Sequence, residues 1–221
     1  MKVIVFGATG MVGQGVLREC LLDDRVEAVL TVGRTPTGRS HPKLREVVHA
    51  DLLDLTPIEG ELAGHDACFF CLGVSSAGMG EDEYRHVTYG YTLAAGTTLA
   101  RLNPGSTFVY VSGAGTDAGG RAMWARVKGA TEEALLELPL EAYMFRPGYI
   151  QPVHGATSRT RWYRLAYVVT APLYPILRRV FATSVTTTER IGQAMITVAE
   201  HGAPERILDP AAINALAAAR A

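Results

Sequence analysis

The residues with the most chemical content begin at position 7. Gly7-Ala8-Thr9-Gly10-Met11-Val12-Gly13 directly follows the apolar run Val3-Ile4-Val5-Phe6. A short β-branched and aromatic run of this kind reads as a buried parallel strand. The glycines then turn the chain into a helix. Gly7 supplies the tight bend, Gly10 lets the main chain approach a pyrophosphate, and Gly13 lets helix and strand pack closely. Free N–H groups and partial positive charge at the start of the helix hold phosphates, with Thr9, Met11 and Val12 in the same turn. The spacing is G-x-x-G-x-x-G, and glycines alone can mark any strand-to-helix turn. Its place on the first strand of an alternating α/β chain is what makes it a dinucleotide site.

Other candidates fall at the tips of later strands, where open α/β sheets bind ligands. Arg34 stands where an Asp or Glu would hydrogen-bond the adenosine ribose of NAD. A cation there suits a 2′-phosphate, so NADP is expected over NAD; the plainer reading of Arg34 is a solvated loop arginine. Asp51 and Leu52 could hold an adenine, the carboxylate accepting from the exocyclic amine and Leu52 packing the ring, although Asp51 could equally cap a turn. Cys71-Leu72-Gly73 closes the fourth strand, with a glycine that permits backbone contact to a cofactor. Ser112 closes the fifth. Lys128 lies in the helix after it, with Trp124 four residues earlier on the same helical face.

These positions need a frame. Strands are expected at 26–32, 44–49, 66–72, 107–111 and 141–145, and helices at 10–22, 81–102 and 121–138. Val87, Tyr91, Ala94, Thr98 and Leu102 share the buried face of the second helix. Strand and helix alternate with short connections, which gives a doubly wound parallel sheet with right-handed crossovers. The 221 residues read as one Rossmann-like domain. Beyond Ile150 the pattern changes to a small C-terminal helical cover over 151–221, within which helices at 188–200 and 210–219 flank a short strand at 206–208. The arginine-rich, aromatic stretch 157–181 holds an apolar run too short to span a bilayer and broken by two prolines. It is expected as a lid, with an interfacial membrane segment as the lesser alternative.

Composition removes several classes. A net charge of −1 with no basic run argues against a nucleic-acid surface. Three cysteines do not make a disulfide framework, and only Lys2 separates Met1 from the first strand, so a cytoplasmic protein without a signal peptide is expected. Cys68 and Cys71 spell C-x-x-C, but odd spacing along a strand points them to opposite faces. His49, His65 and His86 show no metal-ligand spacing, and no metal is expected.

The chain resembles the short-chain dehydrogenases/reductases, in particular small atypical, epimerase-like members. The resemblance rests on residues 7–13, Asp51-Leu52, Val111-Ser112-Gly113, Lys128-Gly129 and Arg146-Pro147-Gly148-Tyr149-Ile150. It covers residues 1 to about 150 well and the remainder in outline. It implies that Pro147, Gly148 and Ile150 join the cofactor site, that Ser112 orients a substrate carbonyl and that Lys128 holds the nicotinamide ribose. The family's Tyr-x-x-x-Lys is Trp124-Ala125-Arg126-Val127-Lys128 here. The tyrosine that passes the proton is missing, and an indole N–H donates a hydrogen bond but cannot cycle a proton near neutral pH. Tyr84, Tyr149 and His154 are the candidate substitutes. Two functions follow: an NADP-dependent oxidoreductase or epimerase-like enzyme on a small carbonyl or alcohol, or a non-catalytic dinucleotide-binding, redox-sensing protein with a signalling partner. The chain is compatible with a monomer or a homodimer.

Overall fold

The computed structural model describes residues 1–157 and 185–219. The described elements are β1 (Lys2–Phe6), α1 (Met11–Leu22), β2 (Ala28–Gly33), β3 (Leu44–Val48), α2 (Glu59–Leu62), β4 (Ala67–Phe70), α3 (Glu81–Arg85), α4 (Tyr91–Leu102), β5 (Thr107–Val111), α5 (Met123–Leu136), β6 (Glu141–Phe145), β7 (Tyr149–Gln151), β8 (Val185–Thr187), α6 (Thr188–His201), β9 (Ile207–Leu208) and α7 (Pro210–Ala218). Seven strands pair in the order β3-β2-β1-β4-β5-β6-β9, all parallel. This is the doubly wound sheet expected from the alternation. The strand order reverses between β1 and β4, so the switch point lies beside the glycine turn.

Strand alternation sorts the core into two layers. Val3, Val5, Phe69 and Val109 face α1, α6 and α7, while Ile4, Phe6, Cys68, Phe70, Phe108 and Tyr110 face α4 and α5. Cys68 and Cys71 accordingly pack on opposite layers, as odd spacing requires. On the second layer Phe6, Phe70 and Phe108 form a ladder, with ring centroids 5.3 and 5.9 Å apart. Each such ring contributes roughly 1.5–3 kcal/mol by burial. On the first layer α1 and α6 cross at bare backbone: a Cβ on Gly15 would lie 2.5 Å from the Thr188 Cβ, and one on Gly192 would lie 2.8 Å from the Glu19 Cγ.

Several expectations need correction. The stretch 188–218 does not cover the site. The Ile191, Ala194, Met195 and Val198 stripe of α6 is buried in the core that faces α1, and β9 extends the sheet beside β6. The apolar face of α6 is satisfied only there. The lid expected over 157–181 lies outside the described residues except for Thr157, which exchanges hydrogen bonds with Gln14 (3.1 and 3.2 Å). The helix read as 81–102 is interrupted by a π turn at His86–Gly90. That turn offsets the buried stripe to Tyr84, Thr88, Thr92, Ala95 and Leu99, one residue off the expected face. β7 and β8 form a separate parallel pair, which was not expected.

Candidate functional site

The glycine turn is built as its spacing demands. Gly7 has φ +76°, a conformation open to glycine, and its carbonyl accepts from the Gly10 N–H at 2.9 Å. A Cβ on Gly7 would lie 2.5 Å from the Leu72 nitrogen, and one on Gly13 only 2.1 Å from the Gly7 carbonyl oxygen. The first position thus sets the approach of β1 to the end of β4, and the second sets that of α1 to β1. α1 starts at Met11 with Gly10 as its N-cap, without a side-chain cap and without an acidic residue in its first turn. Such an end suits an anion.

Two clefts meet over this turn. The first, about 700 Å³, is bounded by Gly7, Thr9, Arg34, Glu46, Leu52 and Tyr91 among others. The second, about 660 Å³, is bounded by Met11, Val12, Ser112, Trp124, Lys128 and Ile150, together with Pro147 and Gly148. Gly10 and the segment from Cys71 through Leu72 and Gly73 to Ser75 line both. Together they form one groove across the carboxyl ends of the strands, of a size suited to a small-molecule ligand. Gly13 lies behind the groove as packing. Asp51 also stands outside the lining: it is exposed, and its Oδ1 accepts from the Leu53 N–H at 2.9 Å, a local turn contact. Leu52, 2% exposed, provides apolar wall.

In the second cleft the polar groups point into the protein. The Ser112 hydroxyl donates to Glu132 and lies 3.1 Å from the Phe145 carbonyl oxygen; Ser112 is 5% exposed. Glu132, itself buried, also accepts from Arg146 through Nε (3.1 Å) and Nη2 (2.5 Å). Lys128 donates to the Ser112 carbonyl oxygen. Desolvation lowers the Lys128 pKa to about 8, and nearby Glu132 opposes that shift in part. Trp124 stands on the same face of α5, one turn before Lys128 and against Gly115, where an added Cβ would lie 3.3 Å from the indole. A Cβ on Gly113 would lie 3.9 Å from Lys128 Nζ, so the residue after Ser112 faces the amine without a side chain.

The three candidate substitutes for the missing tyrosine line neither cleft. Tyr84 is buried, with its phenol pKa raised by desolvation. Tyr149 donates to Gln151 Oε1 at 3.0 Å, and His154 is exposed, with φ +54° and Nε2 3.3 Å from Glu189. Cys71 sits where the clefts meet, its thiol pKa raised by burial. No group of His, Cys, Asp or Glu suited to a metal occurs among the described residues.

Sequence reasoning missed Glu132, Glu46 and the pair Val87 and Tyr91. Glu132 follows Lys128 by four residues on the same helical face, a spacing that could have found it. Val87 and Tyr91 line the first cleft, Tyr91 also packing against the edge of the core, where the π turn offsets the helix face. Glu46 is on β3, paired in register with Thr31, and no motif marks it.

No protein-family model matches the chain. Among curated proteins, Protein HTATIP2 of Rattus norvegicus is 28% identical over 153 residues, which is 67% of this chain and 62% of that protein, so the match spans about three fifths of the relative's length. Protein FMP52-2, mitochondrial, of Scheffersomyces stipitis is 26% identical over 212 residues, 93% of this chain and 90% of that protein. Such a name stands against taking a cytoplasmic location from cysteine usage. No described helix is long and apolar enough to cross a membrane. Among solved structures, the dTDP-glucose 4,6-dehydratase DesIV of Streptomyces venezuelae, with NAD and TYD bound, superposes with a TM-score of 0.71 at 16% identity, covering 94% of this chain and 74% of that one. The short-chain dehydrogenase/reductase YIR035C of Saccharomyces cerevisiae gives 0.66 at 13% identity, covering 95% of each chain. WbmF of Bordetella bronchiseptica, in complex with NAD+, gives 0.67 at 18% identity, covering 98% and 76%. The chain therefore has a Rossmann-like α/β fold, similar to that of these NAD-bound and short-chain dehydrogenase/reductase structures.

Proposed function

We propose that this protein binds NADP(H) along the joined clefts and reduces ordinary carbonyls poorly or not at all. The observation that carries the reading is the continuous groove over an uncapped helix start, with a glycine turn that admits no side chain. Solved neighbours hold NAD in the same fold. Here the glycine turn and the start of α1 would hold the pyrophosphate, Leu52 and Tyr91 would offer apolar walls to the adenosine, and Arg34 would meet a 2′-phosphate. Lys128 and the backbone at Pro147 and Gly148 would face the nicotinamide end.

When bound, the dinucleotide supplies or accepts hydride. Carbonyl reduction also needs a proton at the carbonyl oxygen, and the groups that would deliver it are weak in this cleft. Ser112 gives its one proton to Glu132, and Trp124 cannot ionise near neutral pH. A second reading, turnover on a small carbonyl or alcohol, is favoured by Lys128, which lines the second cleft with its pKa lowered by desolvation to about 8. Fluorescence titration of the unmodified protein with NADPH and with NADH tests the cofactor assignment. NADPH is expected to bind on the order of 10- to 100-fold more tightly, the worth of one hydrogen bond to a charged group. Equal dissociation constants would remove the Arg34 assignment.

A further inference from the structure

Arg34 lies at the start of the irregular connection between β2 and β3, is exposed, and has no ion pair with any described residue. A cation on an unanchored loop confers little preference, because its ordering must be met at binding. Glu46 changes that. It projects from β3 into the wall of the first cleft, in register with Thr31 of β2. Its Oε2 accepts from the Thr37 backbone N–H at 2.7 Å and from the Thr31 hydroxyl at 3.3 Å. The Thr37 hydroxyl in turn accepts from the Arg39 N–H at 3.2 Å. One carboxylate on the sheet therefore ties down the loop three residues past Arg34, and Arg34, Thr35, Pro36 and Thr37 all border the same cleft.

We infer that Glu46 is a positioning residue for cofactor selection, pinning the loop through the Thr37 N–H so that Arg34 is presented to the 2′-phosphate. The inference rests on the NADP(H) reading above and adds to it the group that makes the loop arginine selective. Oε2 of the carboxylate is engaged by both the Thr37 N–H and the Thr31 hydroxyl, which makes Glu46 an acceptor that holds the loop to the sheet. Glutamine at this position retains a carbonyl oxygen that can serve both donors; alanine retains none.

The experiment compares the unmodified protein, Glu46→Ala, Glu46→Gln and Arg34→Ala. Dissociation constants for NADPH and NADH are read by titration, and amide exchange at Thr37 is read without cofactor. Glu46→Ala should speed exchange at Thr37 by on the order of tenfold or more relative to the unmodified protein. It should also weaken NADPH to within about threefold of NADH while NADH itself changes by less than about twofold. Glu46→Gln should restore both readouts in large part. Unchanged exchange in Glu46→Ala overturns the anchor. A wild-type preference that Glu46→Ala leaves intact, and that Arg34→Ala removes, overturns the role of Glu46 while the Arg34 reading stands. A rise in NADPH affinity in Glu46→Gln would show repulsion of the phosphate in place of positioning, and also overturns it. Equal affinities in the unmodified protein would overturn the Arg34 reading and this inference with it.

Discussion

The two halves of the groove are built differently. In the first cleft, the adenosine half of the proposed site, the groups offered to a ligand belong to the backbone turn or stand at the surface: the Gly7–Gly10 bend, the uncapped start of α1 and the exposed Arg34. In the second cleft, the nicotinamide half of the proposed site, the polar side chains are already engaged with one another. Ser112 is tied to Glu132, Glu132 to Arg146, and Lys128 to the Ser112 carbonyl. The contrast separates recognition from chemistry. A turn can hold a dinucleotide through main-chain groups alone, whereas proton transfer needs an ionisable side chain aimed at the substrate.

The largest expected effect breaks the inner network. Glu132→Ala removes a buried carboxylate that serves both Arg146 and Ser112. Breaking a buried pair on one side typically costs ~3–5 kcal/mol, and partial exposure of Arg146 puts the expectation at the lower end. Urea unfolding measures it, and a loss below ~1 kcal/mol would show that the nicotinamide half does not depend on this network.

Next come two glycines on the adenosine side that separate packing from ligand approach. Gly13→Ala forces a methyl to 2.1 Å from the Gly7 carbonyl oxygen and should destabilise the fold; overpacking of this kind costs ~1–3 kcal/mol. At Gly10 the nearest atom to an added Cβ is the Gly7 carbonyl oxygen at 3.3 Å. Gly10→Ala should therefore fold nearly normally and lose cofactor affinity instead. Thermal unfolding and NADPH titration of both variants read the two effects, and equal loss of stability in both would erase the distinction. Arg34→Asp should abolish a preference of about 10- to 100-fold for NADPH over NADH while leaving the fold intact.

The smallest effect concerns Lys128. Its folded-state pKa is lowered to about 8, below the ordinary lysine value of about 10.4 in an unfolded chain. The unfolded state thus binds more protons across that window, so this group's contribution to stability rises as pH climbs from 8 toward 10.5 and is lost as pH falls through 8. Because Lys128 is partly open to the cleft, the change is on the order of 1 kcal/mol. Subtracting the pH profile of Lys128→Met from that of the unmodified protein isolates it; a flat difference would place the amine in water.

Much of this frame was legible in the sequence because it is written in local, repeating terms. Continuous runs of apolar and β-branched residues at 3–6 and 107–111 mark buried parallel strands, and Gly7 and Gly13 mark contacts that no other residue fits. What was not legible depends on partners distant in sequence or on a single inserted residue. β7 and β8 are three residues each and acquire meaning only by pairing with one another. The π turn offsets the buried face of the 81–102 helix by one position, with Val87 and Tyr91 lining the cleft. Ser112 matches a motif, yet its hydroxyl is claimed by Glu132, 20 positions away, which the motif does not name. Asp51 likewise fits an adenine contact by type and place, while its carboxylate caps the turn to Leu53.

The most direct test of the separation between binding and chemistry is NADPH oxidation across a panel of small aldehydes and ketones, by the unmodified protein and by Trp124→Tyr. A positioned general acid is worth ~10²–10⁴ in rate, and Trp124 stands one helical turn from Lys128 in the nicotinamide half. The expected result is that both forms bind NADPH alike, that the unmodified protein shows little or no carbonyl-dependent oxidation, and that Trp124→Tyr gains a measurable rate. Robust turnover by the unmodified protein would contradict the account, since some other group in the cleft would then be supplying the proton.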